Sequence, residues 1–121
     1  MHINIKTMDI EMTPSIREYV EKKVNNLEKY IEPVDPSVQA WVEVAKTTNH
    51  HHKGNIFGVE LQVRLPHVDK AVIAKVEKDD LYAAIDEVHD EMKRELTKIK
   101  GRKISLIKRG GRMIKKILRL N

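Results

Sequence analysis

Between Asp80 and Lys103 the apolar residues Leu81, Ile85, Val88, Met92, Leu96 and Ile99 recur at spacings of three and four. At about 100° per residue they fall on one stripe, which predicts a helix lying on a sheet. Asp79 or Asp80 is placed to cap its first amides, and Gly101 to end it. The outward side changes sign along the axis. Asp86, Glu87, Asp90 and Glu91 come first; Lys93, Arg94, Lys98, Lys100, Arg102 and Lys103 follow. Acids early and bases late suit the helix dipole. The dipole does not explain why the bases continue for another turn and then into the tail.

The elements before this helix follow from similar patterns. Ile3 and Ile5 alternate with His2, Asn4 and Lys6, a short first strand. Thr13-Pro14 is a helix opening, a capping hydroxyl followed by a residue with no amide hydrogen to lose. Ile16, Val20, Val24, Leu27 and Ile31 mark its buried stripe. Val38, Ala40, Val42 and Val44 give a second strand, with Gln39, Trp41 and Glu43 on the opposite face. Phe57, Val59, Leu61, Val63 and Leu65 give a third, opposite Glu60, Gln62 and Arg64. Lys70 to Lys78 is the fourth.

The order is β-α-β-β-β-α, an α+β fold. The leading strand-helix-strand unit favours a parallel pair, and the rest suits an antiparallel meander. Each helix has a single apolar stripe, so both cover one face of a four-stranded sheet. Residues 1–103 read as one domain, and 104–121 as a basic, flexible tail with a Gly110-Gly111 hinge.

Charge is lopsided. The chain of 121 residues carries a net +5, yet from Lys93 to Asn121 there are 12 bases and one acid, Glu95. Clustered charge of this kind creates a local field suited to a polyanion. In the first helix Lys22, Lys23, Asn26 and Lys29 lie on one side, while Glu18, Glu21 and Glu28 lie on the other. That segregation suits a face that meets phosphate, and equally an ordinary wet surface. Tyr82 shares a flank with Lys93 and Lys100. It is either a boundary residue covering the sheet edge or an aromatic contact to RNA. One Phe, one Trp and three Tyr argue against modules that stack several bases on sheet aromatics.

Other chemistries find little support. Without cysteine, disulfides and thiolate zinc sites are excluded. His50-His51-His52 invites a metal, but adjacent residues point apart, and nothing nearby supplies a carboxylate or thiolate. These histidines read instead as a polar hairpin loop able to meet phosphate or stack on a base, with no metal and no cofactor. Ser15, Ser37 and Ser105 sit in cap, strand-start and tail contexts, and Gly110-Gly111 precedes no phosphate loop. Asp86 and Asp90, one turn apart on an outward face, read as solvated. The chain is expected not to be an enzyme. No apolar run approaches the ~20 residues of a membrane span, and the N-terminus has no signal-peptide pattern. The expected compartment is the cytoplasm, with no membrane partner.

Several stretches together carry a resemblance. They are Ile16-Arg17-Glu18-Tyr19-Val20 with Lys23, Leu27-Glu28-Lys29-Tyr30, and His51-His52-Lys53-Gly54 with Phe57. Asp80-Leu81-Tyr82-Ala83-Ala84-Ile85-Asp86 is the most specific, followed by Arg94-Glu95-Leu96-Thr97-Lys98 and Lys100. Over residues 1 to about 103 the chain resembles the ribosome hibernation-promoting factor and ribosome-associated inhibitor A family, also called ribosomal subunit interface or sigma-54 modulation proteins. The resemblance implies a fold like that of double-stranded-RNA-binding domains. It also implies binding of small-subunit ribosomal RNA at the decoding region, which blocks mRNA and tRNA and inhibits translation in idle or stressed cells. The family's RNA-facing bases carry over to Lys23, Arg94, Lys98 and Lys100. Placement adds Lys22, Lys29, Lys46, Lys53, Lys93, Arg102 and Lys103, with Tyr82 beside them. Asn26 and Glu91 stand where many relatives carry Lys. The expected partner is the small ribosomal subunit, and the expected solution state a monomer rather than a dimer. The alternative reading is a general double-stranded RNA-binding module.

Overall fold

The computed structural model describes residues 1–31, 37–48, 54–65 and 71–109, with 48 and 102–109 as backbone only. Strand β1 (His2–Met8) leads to helix α1 (Pro14–Asn26), which tightens into a 3-10 turn, Leu27–Tyr30. Strands β2 (Gln39–Thr48), β3 (Asn55–Arg64) and β4 (Val72–Lys78) follow, then helix α2 (Leu81–Arg109). The sheet order is β1-β2-β3-β4. β1 pairs with β2 in parallel, and the other two pairings are antiparallel. The β-α-β-β-β-α order and its parallel opening pair are those expected from the sequence.

Local chemistry starts each helix. The Thr13 side chain accepts a hydrogen bond from the Ile16 amide at 3.2 Å, and Pro14 occupies the first turn. Replacing Thr13 by Ala leaves that amide without its cap. The expected loss is about 1 kcal/mol of folding stability, read as a lower midpoint in urea denaturation with an unchanged slope. The Asp80 carboxylate likewise accepts from the Tyr82 amide at 3.2 Å.

One face of the sheet is covered. Val42 pairs with Leu61 and Leu61 with Ala74; Val44 pairs with Val59 and Val59 with Val76. All are buried, as are Ile16, Val20, Val24, Leu27 and Ile31 from the first helical segment. Helix α2 adds Leu81, Ala84, Ile85, Val88, Met92 and Leu96. Both predicted stripes are thus core, save Ile99, which is half-buried at the margin. The opposite face stays open and carries Trp41, Glu43, Glu60, Gln62 and Arg64.

The expected stop at Gly101 is not there: α2 continues to Arg109. A C-terminal glycine ends a helix by adopting a left-handed conformation. Among the described glycines only Gly54 has a positive φ, and Gly101 keeps helical geometry. One glycine costs a helix about 1 kcal/mol relative to Ala, which the Lys, Arg and Ile residues around it tolerate. Residues 110–121, residues 66–70 with the expected start of the fourth strand at Lys70, and the three histidines lie outside the described residues.

Candidate nucleic-acid interface

Side-chain contacts at four successive levels join the first helical segment to α2. The Tyr19 and Tyr82 rings meet edge to face, centroids 5.0 Å apart at 75°. Lys23 Nζ lies 3.1 Å from Asp86 Oδ1. His89 Nε2 donates to Asn26 Oδ1 at 2.9 Å. Lys93 Nζ sits 5.2 Å from the Tyr30 ring centroid. The partners advance together along both elements, so the helices run side by side in the same direction. Their facing flanks repeat one spacing: Tyr19, Lys23, Asn26, Tyr30 against Tyr82, Asp86, His89, Lys93. Steps of four, three and four keep both rows on single helix flanks.

The two ends of this ladder differ electrically. At the Tyr82 end the cation is already compensated. The Tyr19 hydroxyl donates to Asp86, which also takes Lys23, and Lys23 Nζ lies 5.7 Å from the Tyr19 ring centroid. Asp86 is therefore paired as well as solvated, because α1 brings two donors onto a half-exposed carboxylate. Its pKa is held below the ordinary carboxylate range by the Tyr19 hydroxyl and then Lys23, against partial desolvation. The Tyr19 phenol is pushed up to about 12, chiefly by donating to that carboxylate and also by burial.

Those shifts have opposite pH signatures. Asp86 is depressed in the folded state, so its contribution is present above the unfolded carboxylate pKa and fades as pH falls through the folded value. Tyr19 is raised, so its contribution is full below about pH 10 and disappears as pH climbs to about 12. Tyr19→Phe is expected to flatten the alkaline limb of a stability–pH curve and to bring Asp86 back toward an ordinary carboxylate. Carboxyl-carbon NMR titration of Asp86 reads the second effect; an unmoved Asp86 in the variant contradicts the coupling.

At the other end no acid among the described residues pairs with the cations. Lys29 and Lys93 place their ammonium groups 5.3 and 5.2 Å from the Tyr30 ring centroid. Desolvation raises the Tyr30 pKa, but Lys93 and Lys29 together outweigh it and leave the phenol below its usual value. Among the described residues Lys22, Lys29, Lys46, Lys93 and Arg94 have no carboxylate within ion-pair distance. Unpaired cations are the ones free to exchange counterions for phosphate.

The sequence candidates thus separate. Lys29 and Lys93 come together at Tyr30, Arg94 is exposed on the next position of α2, and Lys22 is exposed on α1. Lys46, at the end of β2, shares the helix-side parity of Val42 and Val44. Lys98 is exposed and pairs loosely with Glu95 at 3.3 Å, one turn back on the same helix, an arrangement easily given up. Lys100 is half-buried. Tyr82, 40% exposed, packs its ring edge to face on Tyr19. Lys53 lies outside the described residues; Arg102 and Lys103 are known only as backbone in α2. The sequence reading missed Tyr30 as a site member and the Asn26–His89 bond, in which a side-chain amide closes the helix pair. The repeated four-three-four spacing was the signal available for both.

Comparison with known proteins places the chain in a family. Residues 3–104 match the family described as sigma 54 modulation protein / S30EA ribosomal protein. The chain belongs to that family. A ribosome hibernation promoting factor from Azotobacter vinelandii is 33% identical over 105 residues, covering 86% of this chain and 87% of that protein. A ribosome hibernation promotion factor from Bacillus subtilis is 32% identical over 100 residues, 83% of this chain, and the match spans 49% of its length. The N-terminal domain of Thermus thermophilus Protein Y superposes with a TM-score of 0.66 at 31% identity, covering 82% of this chain and 99% of that domain. A ribosomal subunit interface protein from Coxiella burnetii, at 24% identity, shares the fold with a TM-score of 0.65, covering 84% of this chain and 99% of that one.

Proposed function

We propose that this chain is a ribosome hibernation factor that acts by steric occupation rather than catalysis. In this reading the edge shared by α1 and α2 binds small-subunit ribosomal RNA at the decoding region, and the bound domain excludes mRNA and tRNA. The observation that carries it is the pair of cations converging on Tyr30, without an ion-pair partner among the described residues, on a fold whose relatives are named for ribosome hibernation. Residues 1–103 form the binding domain, and the basic residues after it, helical through Arg109, extend the cationic end. Folded RNA is recognised here by shape and phosphate position, since few aromatic residues are available for reading bases.

Sedimentation tests the reading directly. The purified protein is expected to travel with small ribosomal subunits, to leave them as salt is raised, and to inhibit translation in a reconstituted system. Equal affinity for a plain RNA duplex and for subunits overturns it in favour of a general double-stranded RNA binder. Failure to co-sediment at low salt removes the ribosome altogether.

A further inference from the structure

The helices cover one face of the sheet and leave the other to solvent. Three large apolar side chains are exposed there: Met8 (45%), Trp41 (38%) and Ile73 (54%). Trp41 and Ile73 flank Gln62 in a single cross-strand row. A shallow groove of about 660 Å³ runs past Asn4, Trp41, Glu60, Gln62 and Arg64. Apolar side chains grouped on one open face mark an interaction site more readily than ones scattered singly.

Charge indicates what this face suits. Lys6, Glu43, Glu60 and Lys75 form the adjacent row, acids on the two central strands and bases on the edges. Glu43 and Glu60 stand directly opposite each other, an arrangement unfavourable by itself. Among the described residues no ion pair joins any of these four, and Arg64 has none either. The face as a whole is balanced, so a polyanion gains nothing from it, in contrast to the helix edge. A cation brought in between Glu43 and Glu60 relieves their repulsion, and an apolar ridge over Trp41 removes its exposed area from water. Tryptophan and arginine within a charge-balanced surface are the usual anchors of protein interfaces.

We propose that the open face of the sheet docks a protein surface that offers a basic side chain to Glu43 and Glu60 and an apolar ridge to Trp41. The domain then holds RNA with one side and protein with the other. Placing that protein on the small subunit rests on the ribosome reading; the character of the face does not.

The probes are purified small ribosomal subunits and protein-free small-subunit RNA, with the full chain in each case. Trp41→Ala is expected to weaken subunit binding at least tenfold, Trp41→Phe less, and Glu43→Gln with Glu60→Gln by a similar amount to Trp41→Ala. Binding to protein-free RNA stays unchanged in all three, as does the salt slope of the Trp41 variants. Thermal melts exclude unfolding as the cause, and the phenylalanine variant keeps the test open should the alanine variant melt early. Equal losses on protein-free RNA overturn the proposal in favour of a base stacked on Trp41. No loss on either probe overturns it outright. A free-protein sedimentation coefficient that falls in Trp41→Ala overturns it in favour of a second copy of the chain. Wild-type protein that fails to bind subunits sinks the ribosome reading and this partner with it; wild-type binding with unaffected variants sinks only the docking face.

Discussion

Replacing Lys29, Lys93 and Arg94 together with glutamate is expected to weaken small-subunit binding at least a hundredfold, roughly, at moderate salt. The three are singled out because, among the described residues, none has a carboxylate within ion-pair distance. Lys29 and Lys93 converge on Tyr30, and Arg94, next after Lys93 along α2, is exposed. Each phosphate contact contributes about one unit to the slope of log affinity against log salt. Glutamine at all three positions therefore lowers the slope by about three, and glutamate adds repulsion to that loss. Lys23→Gln is expected to do much less, because Lys23 already serves Asp86 at 3.1 Å and counterions have less to gain there. Filter binding over a salt series separates the two behaviours. An unchanged slope in the triple glutamine variant removes the cationic end from the RNA interface.

That contrast between Lys23 and Lys93 was beyond the sequence, although most of the fold was not. Apolar spacing placed the buried residues of both helices, and strand parity assigned Trp41, Glu60 and Arg64 to the open face, because burial periodicity is local and strong. Whether a lysine is spent on a carboxylate depends on which flank of a second helix it meets. Lys23 and Asp86 are 63 positions apart, like Asn26 and His89, and no local rule links them. The sequence did hold two matched rows of side chains, but their meeting required knowing that α1 and α2 run in the same direction. Gly101 failed for a different reason. A glycine after a periodic stretch is a common terminator, yet it acts through a left-handed backbone, and good helix formers on both sides kept this one helical.

Leu61→Ala is expected to cost about 3 to 4 kcal/mol, a large share of the stability of a domain this size. Leu61 is fully buried on central strand β3. Its neighbours across the strands are Val42 on one side and the small Ala74 on the other. It faces Ile85 and Val88 of α2. Ala74 has no side chain that can swing into the space, and β-branched Val42 and Val88 have restricted rotamers. The cavity therefore stays largely open, which is the condition for the upper half of the usual range. The melting midpoint is expected to fall by about 10–20 °C. Well below that midpoint the ladder from Tyr19 to Lys93 keeps its register, since none of its members is altered. Subunit affinity and salt slope at 10 °C should then match wild type. A Leu61→Ala protein that melts normally shows that β3 and α2 are not packed through this residue. One that melts early and also loses its salt slope at 10 °C shows that the spacing of the cations depends on the core directly beneath them.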